Sequence, residues 1–192
     1  AVGSPAELCA QAHTILLSLP DGEKVRRICL GEDGLLAHLN AGQCVIDAGT
    51  SPPQLARELH RVFGAKGVDF ADAPVARTRQ AARDGTLSIM VGGDAAVFAR
   101  IRPILDCMAS DVTHCGAVGA GQTVKILNNM MLFQNCAAIA EALAIARRAG
   151  LDEELFLQTV GKSSGDSFAL RNHAMKAMLP RDYPEGAFSV RY

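Results

Sequence analysis

Residues 112–148 read VTHCGAVGAGQTVKILNNMMLFQNCAAIAEALAIARR, and the character of the sequence changes inside this stretch. After Gly121 there is no Gly and no Pro up to Arg148, and the apolar residues follow a helical period. Gly150 stands where a glycine is expected to end a helix. The pattern predicts one helix of about 28 residues, about 42 Å long. Such a helix is long for the surface of a small domain, so we predict that it connects two structurally different halves of the chain.

Before the long helix, strand and helix patterns alternate. Apolar runs typical of buried strands lie at 14–19, 44–47, 67–74 and 87–91, with a short last strand at 112–115. Helical patterns separate these runs, and the first begins at Ser4-Pro5-Ala6-Glu7, a capping sequence. The alternation predicts a parallel sheet with helices on both faces.

The pattern after the long helix is helical throughout, at 152–160 and at 168–179. We therefore predict two domains. Residues 1–118 form an α/β domain, and residues 119–192 hold the long helix and an all-α domain.

The composition is that of a folded, nearly neutral protein. Of its 192 residues, 49% are hydrophobic and 20% are charged, and the net charge is −1. This balance gives no electrostatic footprint for nucleic acid, so we expect no nucleic-acid partner. No uninterrupted apolar run reaches the roughly 18 residues of a transmembrane helix, and the first residues have no basic segment typical of a signal peptide. We expect no membrane partner.

The six cysteines include no C-x-x-C pair and have no metal-binding spacing with histidine. We therefore expect no metal site. Most of the cysteines lie among apolar neighbours, so we expect buried free thiols and a cytoplasmic location.

Three segments with polar side chains follow predicted strands, where ligands bind in open α/β sheets. Two of them, Leu19-Pro20-Asp21 and the segment from Asp47 to Thr50, are equally consistent with ordinary loops. The third contains Arg77 and Thr78, a guanidinium fork beside a hydroxyl group. That pair suits an oxyanion, and the alternative is a solvated surface arginine.

The start of the long helix is a fourth candidate site. Lys125 lies three residues before Asn128 and four before Asn129, so the three side chains share one helix face among apolar neighbours. Partial burial of Lys125 would lower its pKa and allow proton exchange near neutrality. The alternative is a lysine that extends from a domain boundary to solvent. The glycines before Lys125 allow close approach of the backbone.

These motifs resemble those of the β-hydroxyacid dehydrogenases, the family that includes 3-hydroxyisobutyrate dehydrogenase. The pattern G-x-x-G-x-G-x-x-x-K-x-x-N-N at 116–129 is similar to the catalytic signature of that family. Asp72-Ala73-Pro74-Val75 is similar to its substrate-binding signature, and the resemblance covers nearly the whole chain. It implies an NAD(P)-dependent oxidoreductase that interconverts a small hydroxy acid and its aldehyde. The implied fold is a Rossmann-type domain, a long interdomain helix and an all-α domain.

The resemblance also assigns roles to individual residues. Lys125 would be the general acid/base, Asn129 would orient Lys125 or the substrate, and Asn128 would lie in the substrate pocket. Three further residues would contact the cofactor: Leu19, Pro20 and Thr50. We also expect a homodimer or homotetramer, by analogy with the family.

The substrate loop departs from the common family pattern. Most members have Ser-Gly-Gly where this chain has Ala76-Arg77-Thr78. This form resembles the branch of sulfolactaldehyde reductase, also called γ-hydroxybutyrate dehydrogenase. The resemblance implies that the segment binds the acid group of a small anionic substrate, a carboxylate or a sulfonate.

The chain contains no G-x-G-x-x-G turn for a pyrophosphate. We therefore expect that the first βαβ unit of the Rossmann-type domain is lacking, that the chain is a fragment, and that a polypeptide of 192 residues binds the cofactor weakly. The cofactor is expected to be NAD or NADP, with NAD preferred. Two alternatives remain at this stage, an imine or ketone reductase of the same superfamily and a non-catalytic interaction protein. Lys125 counts against both, because such relatives lack this lysine.

Overall fold

The structure, a computed structural model, describes residues 1–183, and the chain divides into two compact units, Ala1–Ile126 and Leu127–Tyr192. Residues 184–192, which the predicted all-α domain includes, lie outside the described residues. The strands are β1 (Thr14–Leu17), β2 (Cys44–Asp47), β3 (Asp69–Asp72), β4 (Val75–Ala76), β5 (Leu87–Gly92) and β6 (Ala109–Gly116). The helices are α1 (Pro5–Gln11), α2 (Gly22–Leu30), α3 (Leu35–His38), α4 (Pro53–Gly64), α5 (Arg79–Arg83), α6 (Ala95–Leu105), α7 (Ala120–Arg148) and α8 (Glu153–Val160), followed by a π-helix over Leu170–Met178.

The first unit is built around a six-stranded mixed sheet in the order β1-β2-β3-β5-β4, with β6 paired to β5. Strands β1, β2 and β3 are parallel, as predicted. The expectation of a wholly parallel sheet is wrong for β5, which runs antiparallel to β3 and β4. Only residues 77–86 connect β4 to β5, which is shorter than the dozen or more residues that a parallel crossover needs.

Apolar side chains fill both faces of this sheet. One cluster includes Phe63 and Phe70, and the other includes Ile89 and Ile101, all essentially inaccessible to solvent. Every residue of β2 is buried, which explains its continuous apolar run. The run at 14–19 gives a shorter strand whose residues are alternately half-buried and buried, because β1 lies at the edge of the described sheet.

The long helix is observed as predicted, with 29 residues from Ala120 to Arg148. Gly150 has φ +75°, the left-handed conformation that ends helices, and the N–H of Leu151 reaches back to the carbonyl of Ala146. In the second unit, Leu143 of α7 packs with Leu157 of α8 and Leu170 of the π-helix.

Much of the apolar surface of α7 is open to solvent. Met131 is 61% exposed, Phe133 67% and Ile145 68%. By length and composition alone, α7 is the one described helix that could span a membrane. Only 17% of its most apolar segment is buried in the structure. The core helix of a soluble protein meets the same criterion, so this is weak evidence for a membrane.

All six cysteines are free. Three of them, Cys9, Cys29 and Cys44, are buried as expected, and burial raises the pKa of Cys29 to about 12. The expectation is wrong for Cys107, which is exposed just after the end of α6, and Cys115 and Cys136 are only half-buried.

Candidate active site

The first turn of α7 is held by a buried carboxylate at the end of β3. Asp72 is 0% exposed, and its Oδ1 accepts a hydrogen bond from the N–H of Gly119 at 2.6 Å. Its Oδ2 accepts from the N–H of Gln122 at 2.8 Å. The N–H groups at a helix start have no partners within the helix, so a carboxylate there is a stabilising partner. Asp72 therefore fixes the start of the helix that carries Lys125.

Glycines make room for this carboxylate. A Cβ on Gly92 would lie 2.4 Å from the Asp72 Oδ1, and one on Gly121 would lie 2.9 Å from its Oδ2. The Cβ on Gly121 would also lie 2.3 Å from the carbonyl oxygen of Met90. This confirms the predicted close backbone approach before Lys125. The approach is to the end of β5 and to Asp72.

Gln122 links the same turn to the loop after β2, and sequence analysis missed it. Its side chain is 0% exposed. The Nε2 donates to the carbonyl of Gly49 at 2.9 Å, and the Oε1 accepts from the N–H of Ser51 at 3.0 Å. The Ser51 hydroxyl donates to Asp47 at 2.7 Å. The sequence feature that could have identified it is a polar glutamine directly after the glycines at the start of α7.

Burial raises the pKa of both Asp47 and Asp72 above the ordinary aspartate value. For Asp47, the nearby Asp72 carboxylate raises it further, and bonds from Ser51 and Gly49 oppose the rise. For Asp72, the bonds from Gly119 and Gln122 and the charge of Arg57 oppose it. Within residues 1–183, no buried side-chain nitrogen or oxygen lacks a partner, so this polar network is fully satisfied.

Lys125 lies on α7, three residues after Gln122. Its side chain is half-buried, and it has no hydrogen bond or ion pair with any residue that the structure describes. Burial alone lowers the pKa of Lys125 below the ordinary lysine value, with no contribution from a charged neighbour. A lysine of this kind releases a proton more readily than a solvated one.

Asn128 and Asn129 follow on the same helix, in the part of α7 that belongs to the second unit. Asn128 is exposed and Asn129 half-buried. The Asn128 Nδ2 lies 3.4 Å from the Asn129 Oδ1, a weak hydrogen bond that leaves both amides available to other partners.

The residues expected to contact the cofactor lie in loops after the carboxyl ends of β1 and β2. A Cβ on Gly49 would lie 2.9 Å from the carbonyl oxygen of Leu19, so the two loops touch. Leu19 and Thr50 are half-buried and Pro20 is exposed. The Thr50 hydroxyl has no partner among residues 1–183. Two apolar side chains beside an available hydroxyl suit the nicotinamide part of a dinucleotide, so these residues fit that group.

The substrate-loop residues of the first unit have local roles in the structure. Ala76 is buried in β4, and the Thr78 hydroxyl accepts a hydrogen bond from Ala81 at the start of α5. The guanidinium of Arg77 donates to Asp111 at 2.5 Å, to Ser110 at 2.7 Å and to the carbonyl of Thr86 at 2.6 Å. Arg77 also has φ +84°, a conformation that favours glycine. Sequence analysis gave no sign of these contacts.

Among the described residues, no three His, Cys, Asp or Glu side chains are grouped to hold a metal ion. Unit 1 therefore offers a half-buried lysine, a satisfied polar network and two strand-end loops as its chemical features.

The sequence of this chain matches two known protein-family profiles. The profile described as the NAD binding domain of 6-phosphogluconate dehydrogenase matches residues 1–116, which is more than half of the chain. The profile described as the NAD-binding domain of NADP-dependent 3-hydroxyisobutyrate dehydrogenase matches residues 119–191. The chain belongs to the 3-hydroxyisobutyrate dehydrogenase-like β-hydroxyacid dehydrogenase family. The predicted family and the predicted Rossmann-type fold with a long helix are confirmed.

Two curated members of this β-hydroxyacid dehydrogenase family are similar over most of the chain. A 3-hydroxyisobutyrate dehydrogenase of Pseudomonas aeruginosa is 42% identical over 167 residues, which are 87% of this chain and 56% of the relative. A 2-(hydroxymethyl)glutarate dehydrogenase of Eubacterium barkeri is 37% identical over 180 residues, 94% of this chain and 60% of the relative. The chain thus spans less than two thirds of these relatives.

A solved structure of the β-hydroxyacid dehydrogenase family has the same fold. The 3-hydroxyisobutyrate dehydrogenase of Mycobacterium tuberculosis with L-serine matches with a TM-score of 0.80 and 37% identity. The match covers 87% of this chain and 56% of that chain.

Proposed function

We propose that this chain forms part of an NAD(P)-dependent oxidoreductase that interconverts a small hydroxy acid and its aldehyde or semialdehyde. The observation that carries the proposal is Lys125, half-buried and without a partner among the described residues, at the position of the family's catalytic signature. Its pKa is lowered by burial. Family membership supports the reaction class.

Lys125 is the general acid/base of the proposed reaction. In the oxidation direction, the neutral amine takes the proton of the substrate hydroxyl while the carbon–hydrogen bond breaks as hydride, and a carbonyl forms. In reduction, the ammonium returns the proton to the carbonyl oxygen. The nicotinamide of the bound cofactor accepts or supplies the hydride. A lowered pKa keeps both forms of Lys125 accessible nearer neutral pH, where proton transfer is efficient.

The neighbouring amides position the reacting groups. Asn129 orients Lys125 or the substrate, and Asn128 contributes to the substrate pocket. Leu19, Pro20 and Thr50 contact the cofactor. The cofactor is NAD or NADP, with NAD to be tested first.

The substrate is a small anion whose acid group binds to the segment Ala76-Arg77-Thr78, as a carboxylate or a sulfonate. In the structure the guanidinium of Arg77 already forms an ion pair with Asp111, and the Arg77 side chain remains 40% exposed. A substrate acid group therefore competes with a carboxylate of the protein itself. Asp111→Asn weakens that competition, so the KM of the anionic substrate should fall in this variant. A rise in KM would show that Asp111 instead holds Arg77 in place for the substrate.

Oxidation of NADH and NADPH, followed by absorbance, tests the proposed reaction. The substrates are sulfolactaldehyde, succinic semialdehyde and tartronate semialdehyde, and a cyclic imine is the comparison. Turnover of at least one acidic aldehyde above the imine supports the proposal. Preference for the imine would make the protein an imine reductase, and absence of turnover with all four by the whole protein of which this chain forms part would favour a non-catalytic role.

We further propose that the protein is a cytoplasmic homodimer or homotetramer in which the exposed face of α7 is covered by a second copy. Phe133 and Ile145 are more than two-thirds exposed, and large apolar patches of this kind mark interaction surfaces. Light scattering during gel filtration measures the assembly. Phe133→Gln should reduce its mass, and an unchanged mass would remove this face from the interface.

A further inference from the structure

Two carboxylates that take no part in the proposed reaction are buried next to each other. Asp47 ends β2 and Asp72 ends β3, and the two residues are register partners in the parallel pair. Both are 0% exposed. Burying two acidic groups side by side is costly unless hydrogen bonds replace their lost hydration.

The two carboxylates form hydrogen bonds with different segments of the chain. Asp47 holds the loop after β2, since its Oδ1 accepts from the N–H of Gly49 at 3.0 Å and its Oδ2 accepts from the Ser51 hydroxyl. Asp72 holds the first turn of α7 through Gly119 and Gln122. One carboxylate therefore fixes the loop that carries Thr50, and the other fixes the helix that carries Lys125.

The Gln122 side chain joins these two parts. Its Nε2 donates to the carbonyl of Gly49 and its Oε1 accepts from the N–H of Ser51, the residues on either side of Thr50. Its own N–H donates to Asp72. Each polar atom of the side chain therefore bonds directly to one backbone group of the loop. Any shift of the loop relative to the helix breaks at least one of these buried bonds.

We propose that Gln122 is a positioning residue that fixes Thr50 relative to Lys125 by bonding both neighbours of Thr50 to the first turn of α7. The inference rests on the proposed function, in which Thr50 contacts the cofactor and Lys125 moves the proton. The bonds of Gln122 go to the loop and to Asp72, so it acts on Thr50 and Lys125 through the backbone segments that carry them.

The test compares Gln122→Met with wild-type protein, both made as the whole protein of which this chain forms part. Methionine keeps the length of the side chain and removes both bonds to the loop. The matched control is Gln134→Met, the same exchange at an exposed position of the same helix. Three quantities are measured: the Kd of NADH and NADPH by fluorescence, the rate of Lys125 acetylation as a function of pH by mass spectrometry, and kcat with its KM values.

In Gln122→Met we expect cofactor binding to weaken roughly tenfold or more, because the Thr50 loop loses its fixed place. The pH midpoint of Lys125 acetylation should move upward towards that of a solvated lysine, because the loosened turn admits water. Both changes should be absent in Gln134→Met. If Gln122→Met does not fold, Gln122→Asn keeps a neutral amide that is one methylene too short to reach both Gly49 and Ser51, and it should shift both quantities in the same directions.

A lower melting temperature in Gln122→Met with an unchanged Kd and an unchanged acetylation midpoint would overturn the inference, since Gln122 would then be only structural. The acetylation measurement needs no turnover. It therefore separates this inference from the proposed function, which fails instead if wild-type protein turns over no acidic aldehyde.

Discussion

Asp47 and Asp72 face each other in the parallel register of β2 and β3, and both carboxyl groups are fully buried. Their partners differ in chemistry. Asp72 accepts from two backbone N–H groups, which only donate. Asp47 accepts from one backbone N–H and from the Ser51 hydroxyl, which can both donate and accept.

This difference predicts unequal effects of the same substitution. In Asp72→Asn the new NH₂ group faces a backbone N–H, so a buried donor is left without an acceptor, and the free energy of unfolding should fall by about 2 kcal/mol. In Asp47→Asn the NH₂ group can donate to the Ser51 hydroxyl, so the loss should stay below about 1 kcal/mol. Urea denaturation at pH 7 measures both values, and equal losses would contradict the assigned hydrogen bonds.

The raised pKa of Asp47 predicts how stability depends on pH. Its folded pKa lies above the ordinary value of 3.8, so its contribution to stability is full below pH 3.8 and is lost as the pH rises through the folded pKa. Asn does not titrate. The free energy of unfolding of wild-type protein minus that of Asp47→Asn should therefore fall as the pH rises from below 4 towards 7. Urea denaturation across this range measures the difference, and a rise would show that the native carboxylate is stabilised as the charged form.

Gly121 is expected to tolerate no side chain. A Cβ there would lie 2.3 Å from the Met90 carbonyl oxygen and 2.9 Å from both the Asp72 Oδ2 and the Gly92 nitrogen. These backbone and buried carboxylate atoms cannot move aside. Gly121→Ala should therefore lower the melting temperature strongly or prevent folding. Gly64 at the end of α4 is the matched control, because its Cβ would meet nothing within 4 Å. Gly64→Ala should be neutral or stabilising by up to about 1 kcal/mol.

Arg77 occupies a backbone conformation that costs energy for any residue with a Cβ. Arg77→Gly and Arg77→Ala both remove the bonds to Asp111, Ser110 and Thr86, but only the glycine variant removes the strain. Arg77→Gly should therefore be more stable than Arg77→Ala by about 1 kcal/mol in chemical denaturation. Equal stabilities would mean that the segment relaxes to a negative φ once the guanidinium is gone.

The fold was largely predictable because its main elements have strong local patterns. The continuous apolar run of β2 and the long helical repeat of α7 leave few alternative secondary structures. The turn back through β4 was not visible, since a strand of two residues, Val75 and Ala76, shows no period. The antiparallel direction of β5 depends on that turn.

Chemistry and spacing predicted Lys125 and Asn129 on one face of α7, and their roles stay predictions. The role of Gln122 was not predictable, because its bonds reach residues that are 71 and 73 positions away in the sequence. The pairing of Arg77 with Asp111 of β6 likewise joins residues 34 positions apart in the sequence. Sequence alone places residues along elements and does not show which loops those elements bring together.

The pH dependence of turnover in wild-type protein and in Lys125→Ala tests the central claim, that Lys125 is the general acid/base of a hydroxyacid dehydrogenase. For wild-type oxidation of the hydroxy acid, kcat/KM should rise with pH through an ionisation below the ordinary lysine value, because the neutral amine is the base. Lys125→Ala should keep its circular dichroism spectrum, lose that ionisation and lose about 10²- to 10⁴-fold in kcat. A Lys125→Ala variant with wild-type kcat and an unchanged pH profile would contradict the claim.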